Sequence, residues 1–120
     1  MPDSSSKVET METNSCIFPE LYKILEKRKE TGHFGESYTA KLMKEGLDSI
    51  LKKIGEETTE VVIAAKNLDH QEQINEISDL CYHVLVLMVY HGIELDEIHF
   101  ELKKRLGTSG IEEKQSRSLR

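Results

Sequence analysis

Residues 47–68 form the longest stretch of helical periodicity in the chain, and a short turn at 67–70 leads straight into a second stretch, 72–91. In the first, Ile50, Ile54, Val61, Ala64, Ala65 and Leu68 fall on one face at about 100° per residue. Gly55 is tolerated within it at some cost in helix propensity. The second is apolar in nearly every direction around residues 80–89, as expected of a helix covered on most sides, and Gly92 is its C-cap candidate. Two such helices in succession lie antiparallel and need further helices to cover their apolar faces. The expected class is therefore all-α, a helical bundle.

The rest of the chain supplies those partners. Phe18, Leu21, Tyr22, Ile24 and Leu25 recur at helical spacing over residues 18–30, with Pro19 acceptable in a first turn. A Gly-containing break at 31–36 precedes Ser37, an N-cap for a short helix through Tyr38, Leu42 and Met43. A last helix over 95–106 ends before Gly107. No segment alternates with period two, so four to five helices are expected, forming one domain over residues 17–107. Residues 1–16 are rich in Ser, Thr and acid and are expected to be a disordered tail; residues 108–120 form a polar tail.

Charge narrows the partners. The net charge of −6 argues against broad binding to nucleic acid or to an anionic membrane, which needs clustered basic residues. It leaves room for a polyanionic substrate, because a metal ion inverts the field of a carboxylate cluster. Cys16 and Cys81 have neither CxxC nor Cys/His spacing, so neither a disulfide framework nor structural zinc is expected. Residues 1–15 show no basic stretch followed by an apolar one, so no signal peptide is expected, and the longest apolar run, 80–90, is too short to span a bilayer and contains His83. The cytoplasm is the expected location.

The informative residues are carboxylates in the wrong place. With Ile50 as reference, Val61 lies near +20°, Ile54 near +40° and Glu57 near −20°, on a step of about 100°. Glu57 thus interrupts the core-facing stripe, with Glu60 at i+3 and Glu56 on its shoulder. Burying an unpartnered carboxylate costs several kcal/mol or drives its protonation, so a cation belongs in front of Glu57. The plain alternative is an ion pair with Lys53, at i−4 on the same face.

The second helix carries a matching polar line of Glu76, Asp79 and His83. Facing antiparallel helices, each with an acidic i,i+3 pair, bring four carboxylates together, and hard oxygen donors in that number suit Mg²⁺ or Mn²⁺. Taken singly, Glu56, Glu76 and Asp79 read equally well as solvated surface, and His83 reads as a hydrogen-bonded core residue; it is the pairing of the helices that favours a metal site. Asp79 and His83 do not give the Glu-x-x-His pairs expected of a ferritin-like di-iron bundle, and the nominal match of Asp96 with His99 lies on the last helix without a partner. Lys53 and Lys41 are candidate phosphate contacts, and Ser37, Tyr38 and Thr39 offer hydroxyls and helix-start N–H groups to phosphate oxygens.

Glu56-Glu57-Thr58-Thr59-Glu60 followed by Glu76-Ile77-Ser78-Asp79 reads EExxE…ExxD and resembles the metal-binding signature of the MazG-like all-α nucleotide pyrophosphohydrolases. The segments SYTAKL at 37–42, KIGEE at 53–57, Asn75-Glu76, DLCYH at 79–83 and GIEEK at 110–114 with Arg117 resemble the phosphoribosyl-ATP pyrophosphatase family over most of the chain. The resemblance implies hydrolysis of phosphoribosyl-ATP to phosphoribosyl-AMP and pyrophosphate, the second step of histidine biosynthesis, with Mg²⁺, in a homodimer. On this reading Glu57, Glu60, Glu76 and Asp79 hold the metal, and Glu56, or Glu57 in exchange, acts as base or water holder. Lys41, Lys53, Ser37, Tyr38 and Thr39 bind substrate. The alternatives are a house-cleaning nucleoside triphosphate pyrophosphohydrolase with the same metal chemistry, and a non-enzymatic helical dimerisation module.

Overall fold

The computed structural model describes residues 16–31 and 37–107. Five helices make up most of this part: α1 (Ile17–Thr31), α2 (Tyr38–Glu45), α3 (Leu47–Lys66), α4 (His70–His91) and α5 (Leu95–Leu106), with no strand among the described residues. The all-α expectation is met. Residues 1–15, 32–36 and 108–120, where the two tails and most of the break were expected, lie outside the described residues.

Local chemistry sets each boundary. Ser37 caps α2, its Oγ accepting from the Ala40 N–H at 3.1 Å. Gly46, with φ 107, closes α2 through its N–H to the Leu42 carbonyl and at once opens α3, its carbonyl accepting from the Ile50 N–H. Helix α4 starts two residues earlier than expected because Asp69 caps it, Oδ1 accepting from the Glu72 N–H at 3.0 Å. It ends as expected at Gly92, left-handed at φ 72; the Gly92 N–H reaches Val89 and the Ile93 N–H reaches Met88, a Schellman closure.

The core sits at one end of the α3–α4 hairpin. Tyr22 and Leu25 from α1, Leu42 and Met43 from α2, Ile50 from α3, and Leu85, Val86, Met88 and Val89 from α4 form one buried cluster. Two polar side chains bolt α1 to the end of α4: the Tyr22 hydroxyl donates to the Ile93 carbonyl at 2.8 Å, and the Lys29 ammonium donates to the carbonyls of Val89 and Tyr90 at 3.2 and 3.3 Å. Those carbonyls lie at a helix C-terminus, where a cation is favoured.

The far half of the hairpin is thinly covered, with the start of α1 beside Ile77. Val62, Ile63, Ile74 and Ile77 are exposed there. Of the stripe on α3, Ile50 and Ala64 are buried and Ile54 and Val61 half-buried, but Ala65 and Leu68 are exposed. The helix stops at Lys66, Leu68 turns outward at a left-handed φ of 59, and no other described helix reaches that end. Helix α5 buries none of its residues and leaves Ile98, Phe100, Leu102 and Leu106 exposed. Both cysteines are free, and no described helix is long and apolar enough to cross a membrane.

Candidate active site

The acidic residues gather where the α3–α4 hairpin leaves the core. Glu57, one turn beyond half-buried Ile54, turns toward α4; its side chain keeps 13% of its exposure. Glu76 and Asp79 come from α4 at i,i+3 spacing. One carboxylate oxygen from each of Glu57, Glu76 and Asp79 lies within 4.8 Å of the others. Three carboxylates that close repel one another unless a cation or protons intervene. The Glu76 carboxyl is accordingly pushed above its ordinary range, by loss of water and then by Glu60, Glu72, Glu57 and Asp79. Neither Glu76 nor Asp79 has an ion pair among the described residues. The donor set is all oxygen, which fits a hard divalent cation.

Glu60 lies outside this group of three. It is exposed and lines, with Glu72, Glu76 and Asp69, an acidic recess running along the seam toward the hairpin turn. Thr58 and Thr59, between the acidic positions, turn their hydroxyls back to the carbonyls of Ile54 and Gly55 on their own helix.

Lys53 makes the ion pair weighed from the sequence, and a second one as well. Its ammonium lies 3.5 Å from Glu56 and 3.6 Å from Glu57. Glu57 thus serves both the ion pair and the three-acid group. Burial works to lower the Lys53 pKa but is outweighed by Tyr38, Glu56 and Glu57, which hold it above its ordinary value. Glu56 is exposed at the outer edge. Lys41 is exposed on α2 and has no ion pair among the described residues.

Helix α2 is fastened across α4 by side chains 43 and 45 residues apart. Thr39 is fully enclosed and its hydroxyl meets that of Tyr82. The Tyr38 hydroxyl meets Nε2 of buried His83 at 3.0 Å, while His83 Nδ1 meets the Asp79 carbonyl at 2.8 Å. Burial raises the Tyr38 pKa; among the charges acting on it, Lys53 opposes that rise and Glu57 adds to it, which puts the phenol beside the acidic group. Tyr82, with its bond to Thr39, and the tie from His83 to Tyr38 were not anticipated. The polar His83 in an apolar helix was the visible signal, but its partner lies on another helix.

An all-α bundle that sets the acidic motifs of two antiparallel helices against each other, beneath a short hydroxyl-bearing helix, defines the class: a helical protein with a carboxylate cluster that could hold a metal ion. Residues 18–106 match the family model described as phosphoribosyl-ATP pyrophosphohydrolase. Proteins named phosphoribosyl-ATP pyrophosphatase from Geobacter metallireducens and Geotalea daltonii are 47% and 50% identical, over 89% and 87% of this chain and 97% of each relative. One from Clostridium botulinum is 54% identical over 74% of this chain and 80% of its own. The chain belongs to the phosphoribosyl-ATP pyrophosphohydrolase family.

Proposed function

We propose that this protein hydrolyses phosphoribosyl-ATP to phosphoribosyl-AMP and pyrophosphate, the second step of histidine biosynthesis, in the cytoplasm. The observation that carries the reading is the convergence of Glu57, Glu76 and Asp79 in a chain of this family. The family match favours phosphoribosyl-ATP over a surplus nucleoside triphosphate, which the acidic motifs alone leave equal.

Glu57, Glu76 and Asp79, with Glu60 along the same seam, would hold Mg²⁺, or Mn²⁺ in its place. When bound, the ion supplies Lewis-acid neutralisation of charge on the departing pyrophosphate. The protein's own groups do the rest. Glu56, exposed and steadied by Lys53, accepts a proton from the water that attacks between the α- and β-phosphates, and Glu57 is its stand-in. Lys53 releases its hold on the carboxylates to meet phosphate oxygens, and Lys41 meets them from α2. Ser37 and Tyr38 seat the substrate at the start of α2, and Thr39 supports them from beneath through Tyr82.

The active form is a homodimer. Val62, Ile63, Ile74 and Ile77 on the outer hairpin are the apolar surface that a second copy would cover. Purified protein with Mg²⁺, offered phosphoribosyl-ATP or a panel of deoxynucleoside triphosphates while pyrophosphate release is followed, tests the reading. Preferential turnover of a deoxynucleotide overturns it.

A further inference from the structure

The pair Tyr38–His83 joins an exposed phenol to a buried imidazole beside the acidic site. A backbone carbonyl only accepts, so the 2.8 Å contact between His83 Nδ1 and the Asp79 carbonyl requires a proton on Nδ1. In the neutral ring Nε2 then has no proton and accepts, and the Tyr38 hydroxyl must donate to it across 3.0 Å. His83 is 6% exposed, and the rings of Tyr38 and Tyr82 meet it edge to face, so it has little freedom to turn.

The donation fixes what Tyr38 offers a ligand. Its single proton is spent on His83, so only oxygen lone pairs remain. Lone pairs repel phosphate oxygens and attract a hydroxyl. The Lys53 ammonium is engaged by Glu56 and Glu57, at 3.5 and 3.6 Å. We infer that His83 is a positioning residue that holds the Tyr38 hydroxyl as a hydrogen-bond acceptor, and that Tyr38 receives a sugar hydroxyl of the substrate and not a phosphate oxygen. The inference rests on the function proposed above and revises how one of its contacts works. It assigns the hydroxyl of Tyr38 to the ribose part of the ligand and leaves the phosphates to Lys41 and Lys53.

Two measurements test it. Nitrogen NMR of the full-length protein reads the tautomer without any turnover: His83 should carry its proton on Nδ1, and Tyr38→Phe should move the Nε2 shift. A proton on Nε2 overturns the inference. Kinetics with phosphoribosyl-ATP then read the role. Tyr38→Phe should raise KM about tenfold, the worth of one buried hydrogen bond, with kcat nearly unchanged and with inhibition by inorganic pyrophosphate undiminished. Equal weakening of pyrophosphate overturns it. His83→Leu should match Tyr38→Phe, and the double variant should be no worse than either. His83→Gln, whose amide oxygen can accept from Tyr38, should recover most of the loss. Additive losses, or a fall in melting temperature with KM unmoved, assign His83 to packing and overturn the inference. A wild-type protein without phosphoribosyl-ATP turnover sinks the proposed function instead, and the nitrogen shifts still decide the polarity of the bond.

Discussion

The Lys53 ammonium lies 3.6 Å from the Glu57 carboxylate one turn along α3, and the same carboxylate belongs to the three-acid group with Glu76 and Asp79. One side chain is therefore shared between an internal ammonium and the carboxylate cluster that could hold a metal ion. Removing Lys53 should move metal and substrate in opposite senses. Lys53→Met frees Glu57 and removes a repelling charge, so Mg²⁺ should bind a few-fold tighter by calorimetry, while KM for phosphoribosyl-ATP should rise about tenfold through loss of a charge-assisted phosphate contact. Glu57→Gln should lower kcat on the order of a hundredfold and weaken Mg²⁺, with helical circular dichroism retained.

Glu76 provides the pH dependence. Its carboxyl is raised above the ordinary value of 4.5 by loss of water and by the neighbouring acids. The folded protein thus keeps that proton to higher pH than the unfolded chain does. The contribution to stability is fully present below the unfolded pKa and is lost as pH rises through the folded one. Mg²⁺ favours the ionised form and reverses the trend. The rise in melting temperature on adding Mg²⁺ should therefore be small at pH 4 and larger at pH 7, and carbon NMR should show the Glu76 carboxyl titrating lower once Mg²⁺ is present. A melting-temperature increment independent of pH would place the ion elsewhere.

The outer hairpin tests the dimer. Ile63 and Ile77 are about half-exposed in the single chain, whereas Ile50 is fully buried. Ile63→Asp with Ile77→Asp should yield a monomer in analytical ultracentrifugation that keeps its helical spectrum. Ile50→Ala should instead cost about 2–5 kcal/mol in urea unfolding. An unchanged sedimentation coefficient for the double aspartate variant would move the interface off this arm.

Leu68 offers a gain in stability. It holds a left-handed φ of 59 with 84% of its surface exposed, so it pays the steric cost of that conformation and packs against little. Leu68→Gly should stabilise the protein by up to about 1 kcal/mol, the scale of the left-handed penalty, and should leave turnover unchanged. Chemical unfolding checks the first and pyrophosphate release the second.

Much of this was legible from local pattern. Helical phase at about 100° per residue and cap residues led to four to five helices where the structure has five, and the caps Ser37 and Gly92 were readable because a cap is a contact within a few residues. Asp69 was missed as a cap, since an Asp in a polar turn looks the same whether or not its carboxylate reaches an N–H. Phase also singled out Glu57 as the acid that breaks an apolar stripe, and the spacing of the flanking motifs carried the family resemblance.

Which groups meet across helices was another matter. Periodicity orders residues around one axis, while the register and approach of α3 against α4 come from core packing far from the acids. That packing puts Glu57, Glu76 and Asp79 within 4.8 Å of one another and leaves Glu60 along the recess. It also exposes Ala65, which shares the phase of buried residues but lies where no other described helix covers α3. The bond from Tyr38 to His83 spans 45 residues and depends on α2 crossing α4 at one height. Local pattern was enough to place the helices and the kinds of chemical group they carry. Which groups touch follows from packing, because contact depends on the positions of two helices together and phase describes only one.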